Sequence, residues 1–450
     1  MALAGCLLGA GSAFGAAGDL DTSFATGGKF VQNFQTIGLP STDALSSAAI
    51  QPDGRILLGG STFEFNPPVA SDFGFVVLRL SATGAPAGFG GATFSFGSPP
   101  SSGAAALALQ PDGAVLLGGV SGGMGSDMYV DRLTTAGAFD SGWGGNGHPA
   151  VDFAGFDGAG VGTDGALGLV RQPDGAAVAA GYSDNEFAIA RLGSGGLLDS
   201  GFDGDGRQRI DFSGTLDAAT SVALSGSKIV AAGSTDGRLA IASLNSNGSP
   251  DTTFRPGTAT PGQTEAMATE LPRGANALAI QPDGKILVAG PGGGDFGVAR
   301  VTTSGFYDTS FGTNGQVAVD FGGAGDVANA IALQPDGKIL VAGTDGDGFA
   351  VARLTSSGAL DPTFGFGGKA TVNFGGVDEA RAIALQPDGK VVLAGRRTDA
   401  NGGDFAAARL LGDPPSPVAA PATKKKKCKK KKKKRAASAK KKHCKKKKRH

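Results

Sequence analysis

Residues 330–343 read AIALQPDGKILVAG, and this stretch decides the fold. Two short, mostly apolar runs, AIAL at 330–333 and KILVA at 338–342, flank the tetrapeptide Gln-Pro-Asp-Gly that begins at Gln334. Runs of four or five apolar, partly β-branched residues between turn residues are typical of strands and too short for helices. Proline presets φ, aspartate caps the turn and glycine accepts a positive φ. The stretch therefore predicts two antiparallel strands joined by a tight hairpin.

The tetrapeptide recurs along the chain. It starts at Gln51, Gln110, Gln172, Gln281, Gln334 and Gln386, with a degenerate copy at Ser225. Successive starts are separated by 59, 62, 53, 56, 53 and 52 residues. Glycine makes up 78 of the 450 residues, but a disordered glycine-rich chain would show no such period. The period predicts seven structural repeats.

Two further patterns run in phase with the tetrapeptide. Leu-Asp-x-x-Phe-Gly places an aromatic residue in each repeat: Phe24, Phe89, Trp143, Phe202, Phe254, Phe311 and Phe364. Ala-x-Ala-Arg-Leu supplies a basic residue in most repeats: Arg79, Arg132, Arg191, Arg300, Arg353 and Arg409, with Ser243 in the fourth. The arginine and the following aspartate are predicted to form a structural ion pair, as in Arg353–Asp361, Arg191–Asp199 and Arg300–Asp308.

Each repeat holds four short strand candidates. In the sixth repeat they are 316–321, 330–333, 338–342 and 349–354, so that 369–374 is assigned to the next strand set. A four-stranded sheet buries little alone, and stacked sheets protect their edges by closing into a ring. We predict an all-β, seven-bladed β-propeller of four-stranded antiparallel blades. A β-solenoid or an open array is the competing packing.

The block ALQPDGKILVAG, followed by FAVARL and Leu-Asp-x-x-Phe-Gly, resembles the delta-60 repeat family of bacterial surface and secreted proteins. The resemblance covers residues 19–412. It implies a β-propeller-like fold and a location at the cell envelope, and it implies no known enzymatic activity. The stretch 255–276 departs from the pattern because it is rich in Thr and Pro, so whether one strand forms there is left open.

The net charge of +1 combines two opposite parts. Residues 424–450 contain 17 Lys, 2 Arg and no acidic residue, so 22 basic residues face all 40 acidic ones in 1–423, a net charge of −18. An acidic body repels nucleic acid, and we expect no specific nucleic-acid partner. Blocks of like charge predict a disordered tail that docks on an anionic cell-envelope polymer. A plain solubility extension is the alternative.

The sequence divides into four predicted segments. Residues 1–18 are apolar and small, like a secretory signal peptide, although a lipoprotein signal ending at Cys6 or an uninformative terminus remain alternatives. The propeller is assigned to 19–412, a Pro/Ala linker to 413–423 and the poly-Lys tail to 424–450. No later apolar run is long enough for a membrane helix. We expect a secreted or cell-surface bacterial protein.

Catalytic and metal-binding residue types are scarce. His148 is the only histidine before the tail and is expected to be a solvated turn residue, and the chain has 35 Asp but only 5 Glu. Residues 119–123 match Gly-x-Ser-x-Gly without the helix that a nucleophile elbow needs. Residues 203–206 and 345–348 both read Asp-Gly-Asp-Gly but lack the glutamate of a calcium loop. We predict no catalytic residue, no metal and no cofactor.

Meander topology predicts where a ligand would bind. The Pro-Asp-Gly turns and the Leu-Asp-x-x-Phe-Gly links emerge at one end of the strands and are uniform, whereas the loops at the other end vary. Binding residues concentrate in loops on a rigid scaffold. The variable face predicts contacts by Phe63, Phe65, Tyr182 and Arg396 to an unknown ligand, with drift in unconstrained loops as the alternative. A non-enzymatic binding scaffold is favoured over a propeller-based lyase or hydrolase and over a purely structural envelope protein.

Overall fold

The computed structural model describes residues 15–34, 41–64, 72–88, 92–94, 103–120, 126–145, 147–153, 163–258, 260–265, 271–323, 325–400 and 402–413. The chain divides into two compact units, Met1–Pro414 and Pro415–His450, and the described residues belong to the first. The expected tail disorder, most of the signal-like segment and all but Asp413 of the linker lie outside the described residues.

The described part of the chain is all-β, as the sequence predicts. It contains one short 3-10 helix, Trp143–Gly145, beside the strands. The first strand, β1, spans Lys29–Gln32. Strands β2 to β13 are Ser41–Ile50, Ile56–Glu64, Asp72–Leu80 and Ala92–Phe94; Gly103–Leu109, Val115–Val120, Met128–Leu133 and Ala150–Val151; Asp164–Arg171, Ala177–Ser183, Glu186–Leu192 and Arg207–Ile210. Strands β14 to β28 are Asp217–Ser225, Lys228–Thr235, Arg238–Leu244 and Gln263–Glu265; Ala277–Ile280, Ile286–Gly294, Phe296–Val301 and Gln316–Val319; Asp326–Leu333, Ile339–Thr344, Phe349–Leu354 and Lys369–Val372; Val377–Leu385, Val391–Asp399 and Gly402–Leu410.

From β2 onward the strands pair antiparallel in consecutive sets of four, β2–β5, β6–β9, β10–β13, β14–β17, β18–β21 and β22–β25. The last set, β26–β28, receives its fourth strand from the start of the chain. There β1 pairs antiparallel with β28, from Lys29 opposite Ala408 to Gln32 opposite Phe405. The two ends of the body are therefore held in one sheet.

The phase of the repeat differs from the sequence prediction. Strand β25, which we had assigned to the next set, pairs with β24 through Phe349 opposite Val372. Likewise, β21 pairs with β20 of the preceding set. The Leu-Asp-x-x-Phe-Gly segment turns the chain back on itself, since Gly368 donates its N–H to the carbonyl of Phe364 at 2.9 Å. The aromatic segment thus joins the third and fourth strands of one set.

The Pro-Asp-Gly turns form the predicted hairpins. In the sixth set Gly337 has a φ of +85° and donates to the carbonyl of Gln334 at 2.9 Å. Asp336 accepts the backbone N–H of Lys338 at 3.1 Å, which fixes the turn from its side chain. In the degenerate fourth copy Ser225 pairs directly with Lys228 across a two-residue turn.

The apolar core lies between consecutive sets. One cluster joins Leu340, Val351 and Phe364 with Leu393 and Ala408 of the next set, all of them buried. A matching cluster joins the last set to the first, with Phe405 and Val392 among Ile56, Leu58, Val76 and others. Alanine and glycine alternate with larger side chains, so the sheets approach closely. At Gly168 in the third set, an added Cβ would lie 3.0 Å from Cα of Ser221 in the fourth set.

The predicted arginine–aspartate pairs are confirmed. Nε of Arg353 lies 2.9 Å from Oδ2 of Asp361, and Nε of Arg300 lies 2.8 Å from Oδ2 of Asp308. The Arg191–Asp199 pair has a separation of 2.7 Å. Each of these guanidinium groups also lies over the aromatic ring of its own repeat. Arg353, for example, lies 4.8 Å from the centre of the Phe364 ring. The pair therefore fixes the link between the third and fourth strands.

Two details refine the predicted boundaries. The stretch 255–276 does carry a fourth strand, because β17 pairs with β16 through Thr264 opposite Ile241. At the other end, Ala17 is buried and accepts a hydrogen bond from Gly365 at 2.7 Å. The packed body thus reaches into the segment that the sequence assigns to 1–18.

Candidate binding site

The first strand of each set lines a common cavity of about 240 Å³. Its lining comes from β2, β6, β10, β14, β22 and β26, and from the start of β18. Most of these strands carry a β-bulge at the lining position, which leaves one residue out of the ladder and aims its side chain elsewhere. The bulged residues are Ser46, Ala105, Leu167, Thr220, Asn329 and Arg381, and Asn276 takes the corresponding place before β18.

The large polar side chains of the lining come from three consecutive sets, although the repeats are otherwise alike. Asn276 donates from Nδ2 to the carbonyl oxygen of Ala328 at 2.9 Å and to Oδ1 of Asn329 at 3.0 Å. Asn329 in turn donates to Oε1 of Glu379 at 3.0 Å and to the carbonyl of Ala380 at 3.1 Å. The amide side chains therefore link these three sets along the cavity.

Glu379 is the centre of this polar group of side chains. Its Oε2 lies 2.9 Å from Nη2 of Arg381 and 3.6 Å from Nη2 of Arg396. Glu379 and Arg396 are direct cross-strand neighbours in β26 and β27. The side chains of Arg381 and Arg396 remain 34% and 32% exposed, so both guanidinium groups can reach a ligand. We call Asn276, Asn329, Glu379, Arg381 and Arg396 the channel cluster.

The channel cluster is suited to binding an oxygen-rich anion. It offers two guanidinium groups against one carboxylate, and arginine recognises carboxylate, sulfate-like and phosphate oxygens through paired N–H donors. The two amides can donate to and accept from hydroxyl groups. Glu379 is engaged by two arginines and one amide.

The residues that the sequence singles out are distributed over three sets. Arg396 belongs to the channel cluster. Tyr182 is half-buried in β11 opposite Gly165, where an added Cβ would lie 2.8 Å from the tyrosine oxygen. Burial, reinforced by the charge of Asp164, raises the pKa of Tyr182. Phe63 is half-buried in β3 opposite Thr42 and Phe73, and Phe65 lies outside the described residues.

His148 is only in part the solvated turn residue that the sequence suggests, since its side chain is 32% exposed. Its Nδ1 lies 3.3 Å from Oδ1 of the buried Asp131, and its ring packs edge-on against Phe139 at 4.1 Å. Burial lowers the pKa of His148 and raises the pKa of Asp131 to about 8. Ser121, the nucleophile candidate of 119–123, lies outside the described residues.

The two Asp-Gly-Asp-Gly segments use their carboxylates locally. Oδ2 of Asp205 pairs with Nη2 of Arg207 at 2.9 Å. Oδ1 of Asp345 accepts the N–H of Gly348 at 2.7 Å and that of Asp347 at 3.2 Å. In each segment an aspartate caps the local backbone.

Sequence reasoning overlooked an aspartate that precedes the Gln-Pro-Asp-Gly position by eight residues in five repeats: Asp43, Asp164, Asp217, Asp326 and Asp378. All five are buried, and each accepts the N–H of a phenylalanine in the link from the previous set, as Asp217 does from Phe212 at 2.9 Å. Of the channel cluster, the sequence identified only Arg396. The sequence feature that could have revealed the cluster is the position three residues after this aspartate, where the residue type changes from repeat to repeat.

Comparison with protein families supports this architecture. The model of a family described as a domain of unknown function (DUF5122) β-propeller matches residues 172–202, 227–254, 281–311, 334–364 and 386–413. These matches, together with the four-stranded sheets, define a β-propeller repeat domain. Comparison with curated proteins gives no match.

Several solved structures have a similar fold. A catalytically inactive virginiamycin B lyase from Staphylococcus aureus with quinupristin is 12% identical, with a TM-score of 0.49, covering 85% of this chain and 100% of that chain. A putative 6-phosphogluconolactonase from Bacteroides uniformis is 15% identical, with a TM-score of 0.42, covering 83% and 97%. The extracellular domains 1-2 of Drosophila Semaphorin 1b are 11% identical, with a TM-score of 0.43, covering 87% of each chain. These likenesses assign no activity to the chain.

In the part of the chain that the structure describes, no helix has the length and apolar character needed to cross a membrane.

Proposed function

We propose that the body is a single closed ring of seven blades. Three observations support closure: β1 supplies the fourth strand of the last set, the apolar cluster around Phe405 joins the last set to the first, and one cavity is lined by every set. A ring of this kind leaves only short sheet edges exposed. It also brings the start of each first strand to one end of a central channel.

We further propose that the protein is a non-enzymatic, secreted or surface-attached binding scaffold, and that its ligand is an acidic glycan. The channel cluster is the observation that carries this proposal. Arg381 and Arg396 would bind the carboxylate or sulfate of the sugar, and Asn276 and Asn329 its hydroxyl groups. The residues of the cluster differ from those at the same positions of other repeats. The arginine–aspartate pairs, in contrast, recur from repeat to repeat and are explained by their role in folding.

The poly-Lys tail gives the scaffold a second, less specific attachment. Its 19 basic residues provide electrostatic docking on an anionic envelope polymer, which salt would weaken because screening shortens the reach of the charges. The body has a net charge of −18 and would be repelled by the same polymer except at the channel cluster. Head and tail thus divide specificity and retention between them.

A binding screen with product analysis tests this function. The full chain and a chain lacking residues 424–450 are applied to an array of acidic glycans, neutral glycans and peptides, and bound glycans are recovered and sized. We expect both chains to bind the same acidic glycan and to return it intact. Recovered fragments would show an enzyme, and an array without any ligand common to both chains would favour a structural protein.

A further inference from the structure

Three aspartates meet at the junction between the β18–β21 and β22–β25 sets. Asp295 lies between β19 and β20, Asp320 directly follows β21, and Asp326 is the first residue of β22. One carboxylate oxygen of each lies within 4.8 Å of those of the other two. We call these residues the junction triad.

Asp326 carries an oxygen without a partner. The residue is 1% exposed, and its Oδ2 accepts the N–H of Phe321 at 2.6 Å. Its Oδ1 is buried and accepts no hydrogen bond within the described part of the chain. Buried carboxylate oxygens are normally hydrogen-bonded or coordinated to a cation, because desolvation without compensation is costly. Oδ1 of Asp164, Asp217 and Asp378 is equally without a partner within the described residues. What distinguishes Asp326 from Asp217 is therefore the presence of two further aspartates beside it.

The space beside this oxygen is kept open by Gly323. A Cβ added there would lie 3.4 Å from Oδ1 of Asp326 and 3.2 Å from the backbone oxygen of Asp345. Two oxygen atoms from different loops therefore border the same space. Gly323 does not have a positive φ, so its backbone conformation does not require glycine. The open space beside Asp326 is therefore not a by-product of a turn that needs glycine.

Lys369 lies beside the triad but binds a backbone oxygen instead of a carboxylate. Lys369 donates to the backbone oxygen of Asp320 at 2.7 Å. The described residues contain no salt bridge to the side chain of Asp295, Asp320 or Asp326. The negative charges of Asp320, Asp295 and Asp345 repel that of Asp326. A bound cation would remove this repulsion.

A second group of aspartates has the same arrangement at another junction. Asp127 precedes β8, Asp152 directly follows β9, and Asp164 is the first residue of β10. Their carboxylate oxygens also lie within 4.8 Å of one another. By contrast, Asp217 begins β14 at the equivalent place but belongs to no such group within the described residues. The arrangement is therefore not a consequence of the repeat alone.

We propose that the junction triad binds a divalent cation of the calcium type, with the carboxylates of Asp295, Asp320 and Asp326 and the backbone oxygen of Asp345 as ligands. Hard cations take carboxylate and carbonyl oxygens, and calcium accepts six to eight of them in irregular geometry, completed by water. The ion would tie the last strands of one set to the first strand of the next. It lies at the sheet junction and is independent of the channel cluster.

Calorimetric titration of the full chain with calcium chloride, after removal of metal with EDTA, tests the proposal. Extracellular calcium modules bind with dissociation constants of roughly 10⁻⁴–10⁻³ M, and we expect saturable binding in this range. Asp326→Asn keeps an oxygen for the Phe321 N–H and is expected to remove one binding site. Gly323→Ala keeps every carboxylate and is expected to remove the same site by filling its space.

Asp217→Asn is the matched control, because it neutralises an equally buried aspartate outside any triad. It should leave the number of bound calcium ions unchanged. The absence of saturable binding in the wild type would overturn the proposal. An unchanged number of calcium sites in both Asp326→Asn and Gly323→Ala would also overturn it. So would the loss of a site in Asp217→Asn, since the loss would then be a general result of neutralising the buried aspartate that begins a set.

Discussion

The ammonium group of Lys228 lies 2.5 Å from Oδ2 of Asp251, in the repeat where Ser243 stands in place of the arginine. Ser243 itself donates to the same oxygen at 3.0 Å. Burial alone would raise the pKa of Asp251, but the hydrogen bonds from Lys228, Thr253 and Ser243 bring it below its usual value. The aspartate thus keeps a cationic partner, supplied from a neighbouring strand.

We predict that Lys228→Met lowers the free energy of unfolding by about 1–2 kcal/mol. The loss is smaller than for a fully buried pair because Lys228 is partly exposed. Adding Ser243→Arg to this variant should restore most of the loss, since it recreates the pair of the other repeats. Denaturant unfolding measures both. A double variant no more stable than Lys228→Met would show that Asp251 does not need a cation.

Arg353 is expected to be far more sensitive than an arginine of a turn. Its side chain is fully buried between Asp361 and the ring of Phe364, whereas Arg55 is 47% exposed beside Asp53. Arg353→Met leaves the buried Asp361 with only the longer and partly exposed contact to Lys338, at 3.4 Å, and should cost about 3 kcal/mol. Arg55→Met should cost less than about 1 kcal/mol. Equal denaturant midpoints for the two variants would contradict the structural role of the pair.

The pH dependence of stability should reveal Asp131. Burial raises its pKa to about 8 in the folded protein, against an ordinary value of 3.8. The folded state therefore holds a proton that the unfolded state releases, so this group makes the protein less stable as the pH rises from about 4 to 8, by at most about 1.4 kcal/mol per unit. Asp131→Asn should remove the decline and be more stable than wild type at pH 8.

This prediction is tested by measuring the unfolding midpoints of the wild type and of Asp131→Asn between pH 4 and pH 9. His148 is the informative neighbour, because its Nδ1 lies 3.3 Å from Asp131. If Asp131→Asn were less stable than wild type at pH 8, an ionised Asp131 paired with a protonated His148 would be stabilising instead. The raised pKa would then be wrong.

The tail prediction concerns retention and not folding. Deleting residues 424–450 should leave the unfolding temperature of the body unchanged, because the body and Pro415–His450 are separate compact units. Retention on a column of an anionic polymer should be lost. For the full chain it should also be lost at about 0.5 M salt, where the Debye length falls to roughly 4 Å. Retention that survives deletion would place the docking charges elsewhere.

Features that recur could be predicted from the sequence, because a recurring motif reports a local rule of folding. The hairpin at Gln334 and the pairing of Arg353 with Asp361 follow from turn chemistry and from spacing in phase with the repeat. The phase was wrong because spacing alone does not tell which neighbour β25 pairs with. That choice depends on the tight return of the chain from Phe364 to Gly368.

The candidate site was predicted only in part, at Arg396. Glu379, Arg381 and Asn329 come together through β-bulges and through contacts between sets, neither of which has a sequence signature within one repeat. Aligning the repeats on Asp326 and Asp378 would have placed Asn329 and Arg381 in one column of changing residues. The cluster then forms because contacts between neighbouring sets bring that column together.

Binding measured on two arginine variants tests the central claim, that the ligand sits at the channel cluster on the variable face. Arg396→Ala removes a guanidinium group of the cluster, and Arg55→Ala removes an exposed guanidinium group from a Pro-Asp-Gly turn at the opposite end. For the acidic glycan selected on the array, the account predicts at least about tenfold weaker binding for Arg396→Ala, corresponding to about 1.4 kcal/mol, and wild-type affinity for Arg55→Ala. Weakened binding by Arg55→Ala alone, with both variants folded, would contradict it.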